Sequence, residues 1–186
     1  MSEASKSVKE VANRDYALYK GTMSEDSVAT VLKFHLLTEF YLEQMIRLVL
    51  ARGDKLIDSG NYSYAQKLGI VEASDRVPDN LLSSLRNLNK LRNKCSHEMD
   101  YTISDSDLER IGSPLGKCWT ELKNDKHTVR MRLGYLCGYI SAYLSVELED
   151  LELEFHGVGR AKTEDTEQFV PVESALQSPD HPVPLG

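Results

Sequence analysis

Apolar side chains recur at three- and four-residue intervals along most of this chain, the spacing of helix faces rather than of strands. Ser24 offers an N-cap, Glu25 and Asp26 complement the helix dipole, and an apolar-rich run follows to Ala51, with Gly53 as the stop. Within it Val28, Val31, Leu32, Leu36, Phe40 and Ile46 fall on more than one face. That width predicts a helix contacted from two sides, in a bundle or at a dimer interface.

Residues 54–68 read as a loop and a short helix around Tyr62, Tyr64 and Leu68, closed by Gly69 and a turn through Arg76-Val77-Pro78. Pro78 and Asp79 then open a second long helix reaching about Met99. Ser104, with Asp107 three residues on, has the spacing of a capping box; it starts a brief helix to Ile111 that Gly112-Ser113-Pro114 ends. A helix around Leu115 to Leu122 leads to a last long one, roughly His127 to Glu152, where Gly134 and Gly138 permit another helix to approach closely. There is no convincing strand and no repeat of solenoid length. The expected fold is an all-α helical bundle over residues 24–156. A flexible N-terminal segment, 1–23, precedes it, with at most a short helix around Val8 to Tyr19. A tail from 157 to 186, rich in Gly, Glu, Thr, Ser and Pro, is expected to be disordered and dispensable for folding.

Composition narrows the partners. With 186 residues the chain can build one domain with a real core, and a net charge of -7 argues against wrapping DNA, although a local basic patch remains open. Three cysteines, Cys95, Cys118 and Cys137, show no CxxC spacing, so reduced thiols are expected rather than disulfides or structural zinc. The first fifteen residues mix acids with bases and contain no apolar run. They therefore suggest neither a signal peptide nor a membrane anchor, and a cytoplasmic location follows as the expectation.

The helix after Pro78 carries the candidate chemistry. With Leu81 at zero and about 100° per residue, Leu85, Leu88 and Cys95 lie within about 40° and form a buried stripe. Arg92 falls at about 20°, inside that stripe, where a guanidinium needs a partner or a cleft. Ser96, Asn89, Asn93 and His97 follow at about 60°, 80°, 120° and 160°, a polar band beginning at Arg92. Arg86, Lys90 and Lys94 flank it and make the helix locally basic. Such residues suit phosphodiester cleavage without a metal or cofactor. Arg92 can stabilise charge on a phosphate, His97 can move protons, and the flanking bases can contact the backbone.

The run Leu91-Arg92-Asn93-Lys94-Cys95-Ser96-His97 resembles the R-x4-H signature of the HEPN superfamily, including the polar residue after the arginine. That resemblance implies a helical bundle that often dimerises so that two motifs face one cleft. It also implies a metal-independent endoribonuclease of a toxin–antitoxin, abortive-infection or CRISPR system. Arg92 and His97 would then be catalytic, Asn93 and Ser96 supporting, and RNA the substrate, with a homodimer and an antitoxin or regulatory protein as partners. The wider stretch also resembles the mannitol operon repressor group, where nuclease activity is not implied. One departure is that Met99 stands where some toxin members carry a tyrosine two residues after the histidine, with Tyr101 two further on. This puts regulation by tyrosine modification in doubt.

Plainer roles exist for the same residues. Arg92 can pair with an acid on a neighbouring helix, such as Glu39 or Glu43, and His97 can bond carbonyls or water at a helix end. His35 and Glu39, at i and i+4, are only two ligands and do not make a metal site. The rival function is therefore a non-catalytic regulatory or interaction module.

Overall fold

A computed structural model describes residues 16–123, 127–155 and 157. Among these the chain is all helical, with α1 (residues 16–22), α2 (Ser27–Val49), α3 (Gly53–Asp58), α4 (Tyr64–Ala73) and α5 (Asp79–His97) forming the first half. Next come α6 (Asp105–Gly112), a 3-10 turn (Ser113–Leu115), α7 (Lys117–Leu122) and α8 (Val129–Phe155). No strand occurs among the described residues, and no helix there is long and apolar enough to cross a membrane.

Helix α2 is the centre of the bundle, in contact with α3, α4, α5 and α8. Its buried side carries Val31, Phe34, Tyr41, Leu42, Met45 and Ile46, none more than 1% exposed. The apolar width noted in the sequence is thus largely consumed inside one chain, while Leu36 (62% exposed) and Phe40 (38%) stay at the surface. Helices α2 and α5 run in opposite directions: His35 meets Asn89, and Asp26 at the start of α2 acts on Cys95 near the end of α5.

Several boundaries differ from the sequence expectation, each for a local reason. The N-cap of α2 is Asp26, whose carboxylate accepts from the Val28 N–H at 2.8 Å; Ser24 instead donates its own N–H to Thr30 Oγ1. Gly53 does not stop α2, which ends at Val49, but begins α3, where a Cβ would collide with the Ile46 carbonyl. Residues 54–68 hold helix rather than loop at both ends, and α4 passes through Gly69 because the Ser63–Gln66 capping box has fixed its start. The Ser104–Asp107 box forms as expected: the Ser104 N–H donates to the Asp107 carboxylate at 3.1 Å.

Gly134 and Gly138 do receive a close neighbour. It is Tyr19 of α1, whose hydroxyl donates to the Gly134 carbonyl at 3.0 Å and sits 3.3 Å from where a Cβ of Gly138 would be. Burial pushes the Tyr19 hydroxyl up to about 12. The packed body therefore begins before residue 24, inside the segment expected to be flexible. The expected tail lies outside the described residues except for Gly157, and so do residues 8–15 of the short helix expected around Val8 to Tyr19. Cys95 and Cys137 are buried and Cys118 half-buried, all as free thiols.

Candidate functional site

Helix α5 buries Leu81, Leu82, Leu85, Leu88, Leu91 and Cys95. Along its length the buried side walks from the Leu81–Leu82 side toward Leu91 and Cys95. Arg92 consequently stands at the edge of the stripe, half-buried, and not in its middle as the fixed-angle reading placed it. Asn93, Ser96 and His97 are exposed beside it, so the polar band forms one accessible surface at the C-terminal end of α5.

Arg92 has no carboxylate partner among the described residues. Its Nη1 donates to Asn93 Oδ1 at 3.3 Å, and its backbone carbonyl accepts from Ser96 Oγ at 3.0 Å. The acids that could have neutralised it are engaged elsewhere: Lys67 of α4 donates to Glu39 at 2.7 Å and to Glu43 at 2.5 Å. Burial alone would lower the Lys67 pKa, but the two carboxylates outweigh it and hold the ammonium above its usual value. His97 ends α5 with its side chain exposed and makes no bond to a helix-end carbonyl among the described residues.

The three flanking bases are not equivalent. Arg86 is bound to Glu72 of α4 at 2.5 Å, and Lys94 lies 3.6 Å from Asp107 of α6 and over the Tyr101 ring. Burial would raise Asp107, but bonds from Ser104 and Tyr101 and the Lys94 charge leave it below its ordinary value. Lys90 donates only to Asn87 Oδ1, at 3.4 Å, and is exposed. Of the predicted backbone-contacting cations, then, Lys90 is uncommitted to any acid among the described residues, whereas Arg86 and Lys94 join α5 to its neighbours.

Behind Arg92 lies a pairing that sequence reasoning left unconnected. His35 of α2, 4% exposed, places Nε2 3.0 Å from Asn89 Oδ1 and stacks its ring 4.1 Å from Tyr64. Burial pushes the His35 pKa down, the Asn89 bond and Glu39 act against this, and the charges of Arg92 and Lys67 add to it. The imidazole is therefore neutral near pH 7. Asn89 was visible as a member of the polar band, but nothing in the spacing of α2 pointed His35 at it. Among the described residues no three His, Cys, Asp or Glu side chains are grouped to hold a metal ion.

His97 is five positions on from Arg92, with four residues between them, which sets the two about 140° apart around α5 and about 7.5 Å apart along it. In one chain they therefore point to different sides of the end of α5, with Ser96 and Asn93 between them around the helix. A groove among the described residues lies elsewhere, between Leu48, Tyr62, Ile70 and Phe155. What fold and site define together is an all-α bundle with an uncompensated guanidinium and an exposed imidazole on one helix end. Compared with protein-family models, with characterised proteins and with solved structures, the chain has no significant match.

Proposed function

We propose that this protein is a metal-independent endoribonuclease of the HEPN type, with Arg92 and His97 as its catalytic residues. The observation that carries the reading is the state of Arg92: a half-buried guanidinium with no carboxylate, beside exposed Asn93, Ser96 and His97, on a surface where Arg86, Lys94 and Lys67 all have acids. A cation left without an internal anion is available to an external one, and Arg is suited to hold two phosphate oxygens at once.

In this mechanism Arg92 holds the non-bridging oxygens of the scissile phosphate. His97 takes the proton of the ribose 2'-hydroxyl, whose oxygen attacks phosphorus as the bond to the 5'-oxygen breaks. The leaving oxygen takes a proton from the partner subunit's His97, and the products are a 2',3'-cyclic phosphate and a 5'-hydroxyl. A homodimer is part of the proposal, because one motif supplies one histidine and because Leu36 and Phe40 leave apolar surface on α2 to be covered. A toxin–antitoxin or phage-defence setting, with an antitoxin or regulatory protein as partner, fits this activity.

The rival reading, a non-catalytic regulatory module, draws on one observation: the groove between Leu48, Tyr62, Ile70 and Phe155 includes no residue of the Arg92-to-His97 motif. Incubation with single-stranded RNA in EDTA separates the two. Cleavage leaving 2',3'-cyclic ends, lost in Arg92→Ala and His97→Ala, is the expected result, with light scattering giving a dimer. Intact RNA with wild-type protein, together with an Arg92→Ala variant that melts by several kcal/mol, would place the motif in the scaffold of a binding protein.

A further inference from the structure

We propose that Asn89, oriented by buried His35, is a further RNA-contacting residue that presents its amide N–H groups beside Arg92 to a phosphate oxygen of the RNA backbone. The inference rests on the ribonuclease reading above and adds to it a residue outside the Arg92-to-His97 motif.

The orientation follows from hydrogen-bond accounting at His35. Its Nδ1 is buried without a partner, while Nε2 lies 3.0 Å from Asn89 Oδ1. Charging the ring is opposed by burial and by the facing cations Arg92 and Lys67; the one facing acid, Glu39, is already bound to Lys67. A neutral ring carries one hydrogen. On Nδ1 that hydrogen would be a buried donor with no acceptor, a rarer and costlier defect than an unbonded lone pair. It therefore sits on Nε2 and is donated to Asn89, which fixes the amide with oxygen inward and nitrogen outward.

Asn93 repeats the pattern. Its Oδ1 accepts from Arg92 Nη1, and neither asparagine nitrogen has a hydrogen-bond partner among the described residues. Asn89, Arg92, Asn93 and Ser96 stand at i, i+3, i+4 and i+7, which makes them neighbours on one face. Asn89, Arg92 and Asn93 give this face its N–H donors, with both amide oxygens already used and no carboxylate bonded to it among the described residues, while the Ser96 hydroxyl donates to the Arg92 carbonyl. Such a surface, with a guanidinium at its centre and outward amide N–H groups on either side, suits a chain of phosphates better than a cation. His35 acts through Asn89 and is a positioning residue.

The test uses full-length protein carrying His97→Ala, so that bound RNA is not cut, and the anisotropy of a fluorescein-labelled single-stranded RNA. Asn89→Asp keeps the acceptor for His35 but replaces the outward donors with a carboxylate. It should weaken binding by about tenfold or more. In the cleavage-competent background it should raise KM more than it lowers kcat, with an unchanged helical spectrum. His35→Gln, whose amide can still donate to Asn89, should keep more affinity than His35→Ala, a difference that a purely structural role would not produce. If Asn89→Asp melts early, Asn89→Ser is read the same way. Wild type that cuts RNA while both Asn89 variants bind within about twofold of the parent overturns this inference alone. Wild type that neither binds nor cuts RNA removes the ribonuclease reading and this inference together.

Discussion

Lys67 and Arg92 both reach the seam around His35, and both bear on its charge, yet their surroundings are opposite. Lys67, on α4, is 8% exposed and lies between two carboxylates of α2. Arg92, on α5, is more exposed and has only an asparagine oxygen. A cation buried between acids ties two helices together and is lost only with damage to the fold. A cation at the rim, with donors around it, contributes little to the fold and is available to an anion from outside. Stability and activity should therefore respond to different members of this pair.

The largest separation is expected in rate. Arg92→Ala and His97→Ala should each lower RNA cleavage by about a hundredfold to ten-thousandfold, measured as initial rates in EDTA. Lys67→Met should leave the cleavage rate of the folded fraction near wild type; a comparable fall in that variant would erase the distinction between the two cations.

Next in size is the effect of Lys67→Met on stability. It leaves Glu39 and Glu43 facing each other without a counter-charge, but both keep some solvent access, 25% and 29%. A loss of about 1–3 kcal/mol is expected in denaturant unfolding, below the range for fully buried pairs. Adding Glu39→Gln and Glu43→Gln should recover part of it, and a loss no greater than that of Arg92→Ala would contradict the structural assignment.

Tyr19→Phe removes the hydroxyl bonded to the Gly134 carbonyl and should cost about 1 kcal/mol. A melting curve superimposable on wild type would detach α1 from the cooperative body.

Smallest of all is the response of the fold to Arg92→Ala, expected at about 0.5 kcal/mol or less because no ion pair is broken. Removing that charge should nonetheless shift the His35 titration upward, readable by NMR. The sign for stability follows from the lowered pKa of the folded state. His35 binds its proton more readily unfolded, so its contribution is complete above its ordinary value of 6.5 and is lost as pH falls below it. Wild type should lose stability over that acid range, and His35→Gln should lose less.

Much of the helical framework was legible in the chain. Pro78 followed by Asp79 marked the start of α5, Ser104 with Asp107 marked that of α6, and the Leu81, Leu85, Leu88, Cys95 spacing gave the buried side of α5. The same angles separated Asn93, Ser96 and His97 from the core, so the candidate surface could be drawn before any fold was known. These features depend on the geometry of one helix at a time, which about 100° per residue fixes. Errors entered where that geometry stops. Gly69 was taken as a terminator, although the cap at Ser63 and the packing of α4 on α2 carry the helix past it.

Only the tertiary structure decided which charges meet. Glu39 and Glu43 turned to Lys67 and not to Arg92, Asp107 and Glu72 took up Lys94 and Arg86, and His35 found Asn89. Each of these partners lies on a different helix from its mate. Which side chains meet across a seam depends on how two helices slide and rotate when their ridges interlock, and that is set by all the side chains between them rather than by the spacing within either one.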